Sequence, residues 1–454
     1  MNSLEKKPII LFFSRDYQSE LYPALVSEKY NSIYVTLNIR EKKNVERLGG
    51  LVVGCLEEEF ENLPEAEISF PYLEYSIGSD RFIRGHSHKK RLSILKKCVF
   101  FWQNILDKYQ PNFVMNEVVA LEIAEIMLLE ARKRNILYLA SGAMSFENSF
   151  YWHFNQFHSA MGIELEAVQS NEHHRLVAKE FISKVGKGVA ENPHIKGLRK
   201  SKDIKHLFSK TKALFNQIIM PLKIGNKAIR QICYYQSPGY YFKELSFYLN
   251  YNLRGRSYDD INNFNREVEV VFYPLHFEPE ATMFYMSPYY EDQFALVENI
   301  LKCMKEDQVL VIKEHPAQAG FLMQKQFRDL KKRFPNVLFL KAEVPSLKVI
   351  DRANIIVTLV STAGFEALVL GKPVIVLGNV YYNTYEGVNY CKTFEEVYSL
   401  LRGHTTFNKP GDIEGFISKL VALLHPGYPW PHSTLYLKEN LSNIRVAIES
   451  RISY

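Results

Sequence analysis

The chain has 454 residues, a formal net charge of +6 and 47% hydrophobic residues. This length exceeds one ordinary hydrophobic core and predicts two domains of about 200 residues each. The excess of positive charge is too small to indicate a nucleic-acid-binding protein. The five cysteines are scattered without a Cys-x-x-Cys pair, so they indicate neither a zinc site nor a disulfide framework, and free thiols fit a reducing cytoplasm.

The N-terminus reads MNSLEKKPIILFFSRDYQSE. Its apolar run, 9–13, is too short for the core of a signal peptide, and no small-residue cleavage site precedes Arg15. No stretch of about 18 apolar residues occurs, so no transmembrane helix is predicted. We therefore expect a cytoplasmic protein.

The first 160 residues alternate strand and helix patterns. The helix pattern is clearest over 118–134, where apolar residues recur at helical spacing. Alternation of this kind predicts a parallel sheet of βαβ units. The predicted strands are 9–13, 33–37, 112–115 and 136–140.

The middle of the chain is basic. Residues 184–230 contain 12 lysines and arginines against Glu191 and Asp203, so 12 − 2 gives a formal charge of +10. An aromatic run follows over 233–255. We interpret 184–260 as a helical insertion and connector, whose basic part is either a solvated helical face or a contact with anionic lipid at the inner face of the cytoplasmic membrane.

Strand and helix patterns alternate again from residue 267 and predict a doubly wound parallel sheet. The predicted strands are 267–273, 308–312, 337–340, 355–359 and 373–377. The predicted helices are 291–305, 321–334 and 346–353, and a fourth helix begins with 364–370. Neither half carries Gly-x-Gly-x-x-Gly, so no nicotinamide or flavin fingerprint is present.

Two Rossmann-like halves favour the two-domain α/β architecture of glycosyltransferases called GT-B, with the domains facing a cleft. The predicted organisation is an acceptor-side domain over 1–183, the insertion over 184–260, a nucleotide-sugar-binding domain over 261–425 and a C-terminal helix over 426–454. This last helix is expected to pack back on the N-terminal domain.

Polar residues cluster after the predicted strands of the second half. Because the carboxyl ends of parallel strands meet at one sheet edge, this pattern predicts a ligand crevice there. The residues concerned are His276, Glu278 and Glu280, then Lys313, Glu314, His315 and Pro316, then Ser361, Thr362, Gly364 and Glu366.

Ser361 and Thr362 directly precede a predicted helix. A hydroxyl there caps the helix, and the remaining N–H groups with the helix dipole favour a phosphate. Gly364 would let the backbone approach the ligand, and Glu366 could accept two ribose hydroxyls. The alternative is an ordinary capping box that binds nothing.

The runs YPLHFEPEATM, IKEHP and VSTAGFEALVLGKPVIVLG resemble the capsule polysaccharide biosynthesis family. Its members include β-Kdo transferases, which are GT-B enzymes that use CMP-Kdo. The resemblance covers about 268–388. The His-Pro dipeptide and the Ser/Thr pair are also similar to CMP-binding motifs of bacterial GT-B sialyltransferases, and related layouts occur in teichoic-acid glycerophosphate polymerases and UDP-GlcNAc 2-epimerases.

The resemblance implies roles for individual residues. It puts His315 and Pro316 at the nucleotide, Ser361 and Thr362 at the phosphate, and Glu366 at the ribose. His276, Glu280, Lys313, Glu314 and Gly364 complete the expected donor site.

Family members often carry a carboxylate in a pattern similar to Glu-[Asp/Asn]-Gly after a strand of the first domain. The matching place here reads VMNEVVAL, with Asn116 and Glu117 but no glycine. Glu117 is the first candidate for the catalytic carboxylate and Glu147 is the second. No Asp-x-Asp pair ends a strand, so we expect neither a metal nor a cofactor besides the nucleotide-sugar substrate.

The leading hypothesis is a glycosyltransferase of surface polysaccharide synthesis that uses CMP-Kdo or a related CMP-sugar and a glycan or lipid-linked glycan acceptor. One alternative is a UDP-sugar-dependent transferase or a nucleotide-sugar epimerase on the same fold. Another is a non-enzymatic protein of polysaccharide assembly, for which Glu117 and Glu147 would be dispensable.

Overall fold

A computed structural model describes residues 7–68, 80, 83, 85–117, 122–153, 165–189, 212, 215, 238–263, 267–278, 282–287 and 289–452. The chain divides into two compact units. The first takes its described residues from 1–156 and 424–454, and the second takes them from 157–218 and 236–423. No helix within these ranges is both long and apolar enough to cross a membrane.

The first unit is built on a seven-stranded sheet in the order β3-β2-β1-β4-β5-β6-β13. Neighbours from β3 to β5 pair in parallel, β6 is antiparallel to β5, and β13 is antiparallel to β6. The strands are β1 (Ile9–Phe13), β2 (Asn31–Thr36), β3 (Val52–Cys55), β4 (Phe113–Glu117), β5 (Leu137–Gly142), β6 (Ser149–His153) and β13 (His425–Pro426).

Helices cover this sheet and bury large aromatic side chains against it. Trp102, in the long helix α4, is fully buried and meets Phe13 of β1 edge to face, which is a favoured aromatic geometry. The helices of this unit are α1 (Gln18–Leu21), α2 (Ile39–Arg47), α3 (Leu56–Glu59), α4 (His88–Tyr109), α5 (Glu122–Lys133) and α14 (Lys438–Ile452).

The second unit is built on a six-stranded, all-parallel sheet in the order β12-β11-β10-β7-β8-β9. The strands are β7 (Glu269–Pro274), β8 (Gln308–Lys313), β9 (Val337–Leu340), β10 (Ile355–Thr358), β11 (Val374–Val376) and β12 (Val388–Tyr390). The helices are α6 (Glu172–Gly186), α7 (Pro238–Leu253), α8 (Gln293–Cys303), α9 (Lys325–Arg333), α10 (Ser346–Arg352), α11 (Thr362–Val369), α12 (Phe394–Leu401) and α13 (Ile413–Ala422).

The predicted fold class, two Rossmann-like α/β halves, is confirmed. The strands of the second sheet are buried runs such as Val-Leu-Val-Ile in β8, as expected for parallel strands covered on both faces. The sequence predicted that the first domain ends at residue 183. In the structure α6 (Glu172–Gly186) lies in the second unit, where Lys179 pairs with Glu414 of α13 and Phe181 stacks on Phe365. Most of the predicted insertion over 184–260 cannot be described: residues 190–237, apart from Lys212 and Phe215, lie outside the described residues.

Both sheets reverse their strand order at one point, which is where open α/β sheets bind ligands. In the first sheet the reversal lies between β1 and β4, and in the second it lies between β7 and β10. Each candidate residue can therefore be located relative to the switch point of its own sheet.

Candidate functional site

His276 and Val360 meet across the switch point of the second sheet. His276 follows β7 and Val360 follows β10, and the Val360 N–H donates to His276 Nε2 over 3.2 Å. The contact therefore joins the two loops that border the expected crevice. Within the described residues, His276 Nδ1 is buried and has no hydrogen-bond partner.

A buried polar network fixes the position of His276. Gln293, at the start of α8, accepts from the His276 N–H over 2.6 Å and donates to the His276 carbonyl over 2.9 Å. The same amide donates to Glu278 Oε1 over 3.0 Å. Burial and the nearby His315 lower the pKa of His276 to about 3, so the imidazole is neutral at physiological pH and can accept from Val360.

Glu314 is fully buried and supports the loop that follows β8. Its carboxylate accepts from the Gly320 and Leu322 N–H groups over 2.9–3.0 Å and from the Tyr258 hydroxyl over 2.7 Å. Burial raises the pKa of this carboxyl to about 7. The sequence predicted that Glu314 contacts the nucleotide-sugar. In the structure its oxygens accept hydrogen bonds from groups of the protein itself.

His315 and Pro316 lie in the partly exposed part of this loop, while Lys313 is buried at the end of β8. The His315 ring centroid is 6.2 Å from that of Phe277, in the loop after β7. Burial, and to a smaller extent Lys313, lower the pKa of His315 to about 4. A neutral imidazole at this edge can donate to a nucleotide through one nitrogen.

The start of α11 uses most of its N–H groups internally. Ser361 Oγ accepts from the Ala363 N–H over 3.2 Å, the Ser361 N–H donates to Thr358 Oγ1 over 3.1 Å, and the Gly364 N–H is bonded to the Ser361 carbonyl. The N–H and hydroxyl of Thr362 have no partner in the part of the chain that the structure describes. Thr362 therefore carries the donors that remain for a ligand.

Gly364 has a packing reason of its own. A Cβ there would lie 2.5 Å from the Tyr382 hydroxyl and 2.9 Å from Thr358 Cγ2, and the Tyr382 hydroxyl donates to the Ser361 carbonyl over 2.6 Å. The absence of a side chain at Gly364 thus makes room for the Tyr382 ring. The sequence predicted that it makes room for a ligand. Glu366 is buried one turn further along α11.

Glu117 lies at the switch point of the first sheet. It ends β4, and its carboxylate accepts from Arg15 Nη2 over 2.8 Å and from the Tyr17 hydroxyl over 2.8 Å. Arg15 and Tyr17 follow β1, so the ion pair crosses the switch point. The Arg15 side chain is 1% exposed and that of Glu117 is 30% exposed, so the carboxylate is the accessible member of the pair.

Glu147 is exposed in the turn that joins β5 to the antiparallel β6. The next residue, Asn148, donates its N–H to the Tyr428 hydroxyl over 2.8 Å. Because the turn follows the carboxyl end of β5, Glu147 lies at the same sheet edge as Glu117.

The sequence reasoning missed several residues around these candidates. Arg15 and Tyr17 carried a usable signal, since polar residues directly follow the buried strand β1. Tyr258 lies between α7 and β7 and follows no strand, so a search for polar residues after strands could not find it. Gln318 lies in the loop after β8, where its side-chain oxygen accepts from the Glu278 N–H over 3.0 Å, and such a search could have found it. Glu280 lies outside the described residues. Among the residues the structure does describe, no group of three His, Cys, Asp or Glu could hold a metal ion.

The comparisons with known proteins bear on the second unit. The model of the family described as "Capsule polysaccharide biosynthesis protein" matches residues 189–400, which contain β7 to β12 and the His276, His315 and Thr362 loops. This region is therefore similar to the capsule polysaccharide biosynthesis family over slightly less than half of the chain. The polar edge of the second sheet therefore lies in the family's own region, and Glu117 and Glu147 lie outside it.

Individual relatives are distant. Protein FixF of Sinorhizobium fredii (strain NBRC 101917 / NGR234) is 30% identical over 115 residues, which are 25% of this chain and 27% of FixF. The match thus spans about a quarter of that relative.

Two solved structures match most of the chain at low identity and low TM-score. The β-Kdo 2,7 transferase of KpsC from Thermosulfurimonas dismutans is 11% identical, with 92% of this chain and 98% of that chain covered and a TM-score of 0.37. The UDP-GlcNAc 2-epimerase of Neisseria meningitidis is 12% identical, with 98% and 99% covered and a TM-score of 0.29. Likenesses of this size carry no conclusion about the chemistry of this chain.

Proposed function

We propose that this protein is a glycosyltransferase of surface polysaccharide biosynthesis that takes its sugar from CMP-Kdo or a related CMP-sugar and transfers it to a glycan acceptor. The family match over 189–400 supports the biosynthetic setting. The observation that carries the proposal is the contact of His276 with Val360, two residues before α11, together with that of Phe277 with His315, beside the switch point of the second sheet. Nucleotides bind at such points in open α/β sheets.

The free donors of this edge suit a phosphate. The Thr362 N–H and hydroxyl stand at the N-terminus of α11, where the helix dipole favours negative charge. Lys313, buried at the end of β8, carries a positive charge at the same sheet edge, and its Nζ donates to the Glu314 carbonyl over 3.2 Å. These groups would stabilise the phosphate that leaves when the glycosidic bond of the donor breaks.

The nucleotide and ribose contacts fall to the neighbouring residues. His315 would bind the nucleotide beside Pro316, and Glu366 would accept ribose hydroxyls. Glu117 is the proposed carboxylate of the reaction, either as a base toward the acceptor hydroxyl or as a nucleophile if configuration is retained. Glu147 is the second candidate for that role.

Isothermal titration with CMP, CDP, UDP and GDP tests the donor site. We expect CMP to bind best and its affinity to fall about tenfold or more in Thr362→Ala and in His315→Ala, since each loses at least one charge-assisted hydrogen bond of roughly 1.5–3 kcal/mol. Thr406→Ala is the matched control, because Thr406 is exposed after α12 and away from the switch point. Absence of binding by all four nucleotides to the wild-type protein would overturn the proposal.

The transfer itself needs a second assay. Incubation with CMP-Kdo and a Kdo-terminated oligosaccharide should lengthen the oligosaccharide, and a chelator should leave the rate unchanged because metal independence is part of the proposal. A preference for UDP, with interconversion of UDP-GlcNAc in the absence of acceptor, would favour the epimerase instead. Contact of residues 184–230 with membranes stays a prediction, which flotation with anionic vesicles tests.

A further inference from the structure

The segment Gly427–Tyr436, which we name the C-terminal strap, crosses the carboxyl edge of the first sheet. It follows β13, which pairs with the start of β6. The Gly427 N–H donates to the Asn148 carbonyl over 2.9 Å, and the Tyr436 hydroxyl donates to the Tyr17 carbonyl over 3.4 Å. The strap therefore spans the distance between the β5–β6 turn and the loop after β1.

The strap is rigid for reasons that are visible in its sequence and contacts. It reads GYPWPHSTLY, so Pro429 and Pro431 each fix one backbone φ angle. Asn440, at the start of α14, accepts from the Tyr428 N–H over 2.7 Å and donates to the Tyr428 and Leu435 carbonyls over 3.0–3.1 Å. These bonds and the two prolines restrict the backbone of the strap at the sheet edge.

Three aromatic rings of the strap pack together, and of these His432 is exposed, while Tyr428 and Trp430 are half-buried. The rings of Tyr428 and His432 stack with centroids 4.0 Å apart and planes 25° apart, and Trp430 meets Tyr428 edge to face at 6.1 Å. His432 is exposed, yet its Nδ1 lies 2.7 Å from the Thr434 hydroxyl, which orients the ring. Tyr428 stacks on one face of the His432 ring, and the His432 side chain is nevertheless exposed.

The strap is hydrogen-bonded to residues next to both candidate carboxylates. The Tyr17 hydroxyl is 2.8 Å from Glu117 Oε2 and 3.4 Å from the Pro429 carbonyl oxygen, so one hydroxyl links the strap to Glu117. On the other side, the Tyr428 hydroxyl accepts from Asn148, the neighbour of Glu147. The segment that carries the Tyr428–His432 stack is thus bonded to Tyr17, the partner of Glu117, and to Asn148, the neighbour of Glu147, and both glutamates can accept hydrogen bonds from hydroxyl groups.

We propose that the C-terminal strap is a sugar-binding subsite that holds the acceptor glycan. A pyranose ring presents C–H groups on one face, which pack on aromatic rings, and hydroxyls on its rim, which bond to carboxylates and carbonyls. Preorganised rings keep the entropic cost of binding low. The assignment to the acceptor rests on the proposed function, while sugar binding by the strap does not depend on it.

Saturation-transfer difference NMR on the full-length protein tests the subsite without requiring catalysis. The probes are a Kdo disaccharide, chitotriose and maltotriose, each at millimolar concentration. We expect at least one probe to receive saturation through its ring C–H protons, and its affinity to fall about tenfold in His432→Ala and to be retained in His432→Phe. The control is His404→Ala, which removes another exposed histidine, whose ring is 5.6 Å from that of Tyr398 in the second unit.

Thermal unfolding of each variant separates binding from folding. A fall in binding by His432→Ala with an unchanged melting temperature supports the subsite. Equal binding by wild type and His432→Ala, equal losses in His432→Ala and His404→Ala, or no probe bound by the wild type would each overturn it. CMP titration of the same variants keeps the two proposals distinguishable, because loss of sugar binding with intact CMP binding contradicts neither the donor site nor the fold.

Discussion

Glu314 combines complete burial with three internal donors, two main-chain N–H groups and the Tyr258 hydroxyl. Those donors favour the charged form, while burial penalises it, and burial dominates because the pKa of this carboxyl is raised to about 7. An unfolded glutamate has a pKa of about 4.3. The folded protein therefore keeps a proton in a pH range where the unfolded chain has released it.

This difference predicts a pH-dependent loss of stability. The raised pKa of Glu314 contributes to the free energy of unfolding in full below about pH 4. This contribution is lost as the pH rises toward 7, because the unfolded state binds fewer protons than the folded state over that range. In Glu314→Gln the amide oxygen keeps the role of acceptor without titrating. We expect the free energy of unfolding of the wild type to fall relative to this variant by up to about 1.4 kcal/mol per pH unit between about pH 5 and 7.

Urea unfolding at several pH values measures the effect, and the difference between the two proteins cancels the other titrating groups. Parallel stability curves for wild type and Glu314→Gln would contradict the assignment. A steeper fall in the variant would contradict the sign.

Glu117 illustrates why activity alone cannot define a catalytic carboxylate in this protein. Its partner Arg15 is 1% exposed, and removal of one member of a buried pair leaves a charge that the interior stabilises poorly. A Glu117 variant can therefore lose activity by disturbing the switch point of the first sheet. Glu147 is exposed in a turn, so its replacement carries no comparable structural cost.

At the scale of elements, Gly320 sets how closely helix α7 approaches the loop after β8. Its φ is +95°, and a Cβ there would lie 2.0 Å from the Phe247 carbonyl oxygen of α7. Phe247 also packs edge to face on Phe321. A side chain at position 320 would therefore push α7 away from the loop that carries His315.

We expect Gly320→Ala to lower the free energy of unfolding by about 3 kcal/mol or more, because backbone strain and a steric clash add together. Gly371 is the matched control, since its φ is +69° and no atom of the described residues lies within 4 Å of the point that an alanine Cβ would occupy. Gly371→Ala should cost only the backbone term of about 1–2 kcal/mol. Chemical denaturation of both variants measures the difference. Equal losses in the free energy of unfolding would show that α7 can move away from position 320 without loss of stability.

The sequence located five of the six strands of the second sheet because each of these five is a short, mainly apolar run between polar loops, but not β12, which has three residues and includes Asn389. It missed β3, which is only four residues long and includes Gly54, and it missed the antiparallel β6. It also passed over the 22-residue helix α4, although Ile94, Leu95, Cys98 and Trp102 recur at helical spacing and are buried. The lysine and arginine residues of that helix lower its mean hydropathy without breaking its period.

Part of the candidate site could be predicted from the sequence and part could not. His276 and Thr362 were placed at one sheet edge because each follows a strand, and parallel strands bring their carboxyl ends together. The sequence could not show that Glu117 pairs with Arg15, 102 positions away, or that Tyr428 reaches Asn148 across 280 positions. Such contacts depend on tertiary packing, which one-dimensional periodicity does not encode.

At the scale of the whole molecule, the first unit is completed by the C-terminal segment of the chain, from Leu424 onward. Strand β13 extends its sheet, and Ile444, Ala447 and Ile448 of α14 lie in the same buried cluster as Phe12 of β1. The second unit has a separate core around β7, β8 and β10. The two units thus differ in their dependence on the C-terminal segment.

Truncation after Leu423 tests this dependence. We expect the shortened protein to lose the cooperative unfolding transition of the first unit, because the deletion exposes one side of its core, and to retain the nucleotide affinity of the second unit. Hydrogen exchange followed by mass spectrometry reports both units in one sample. Full protection of β1 and β4 in the truncated protein would contradict the prediction.

The composite first unit also has a consequence for biosynthesis. Ribosomes add about 5–20 residues per second, so β6 emerges tens of seconds before β13, its partner. During that interval the outer edge of β6 stays without its native neighbour, and exposed strand edges promote aggregation. The unit whose residues come first is therefore expected to fold last, and chaperones that shield nascent chains should matter more for this protein than its two ordinary Rossmann-like sheets would suggest.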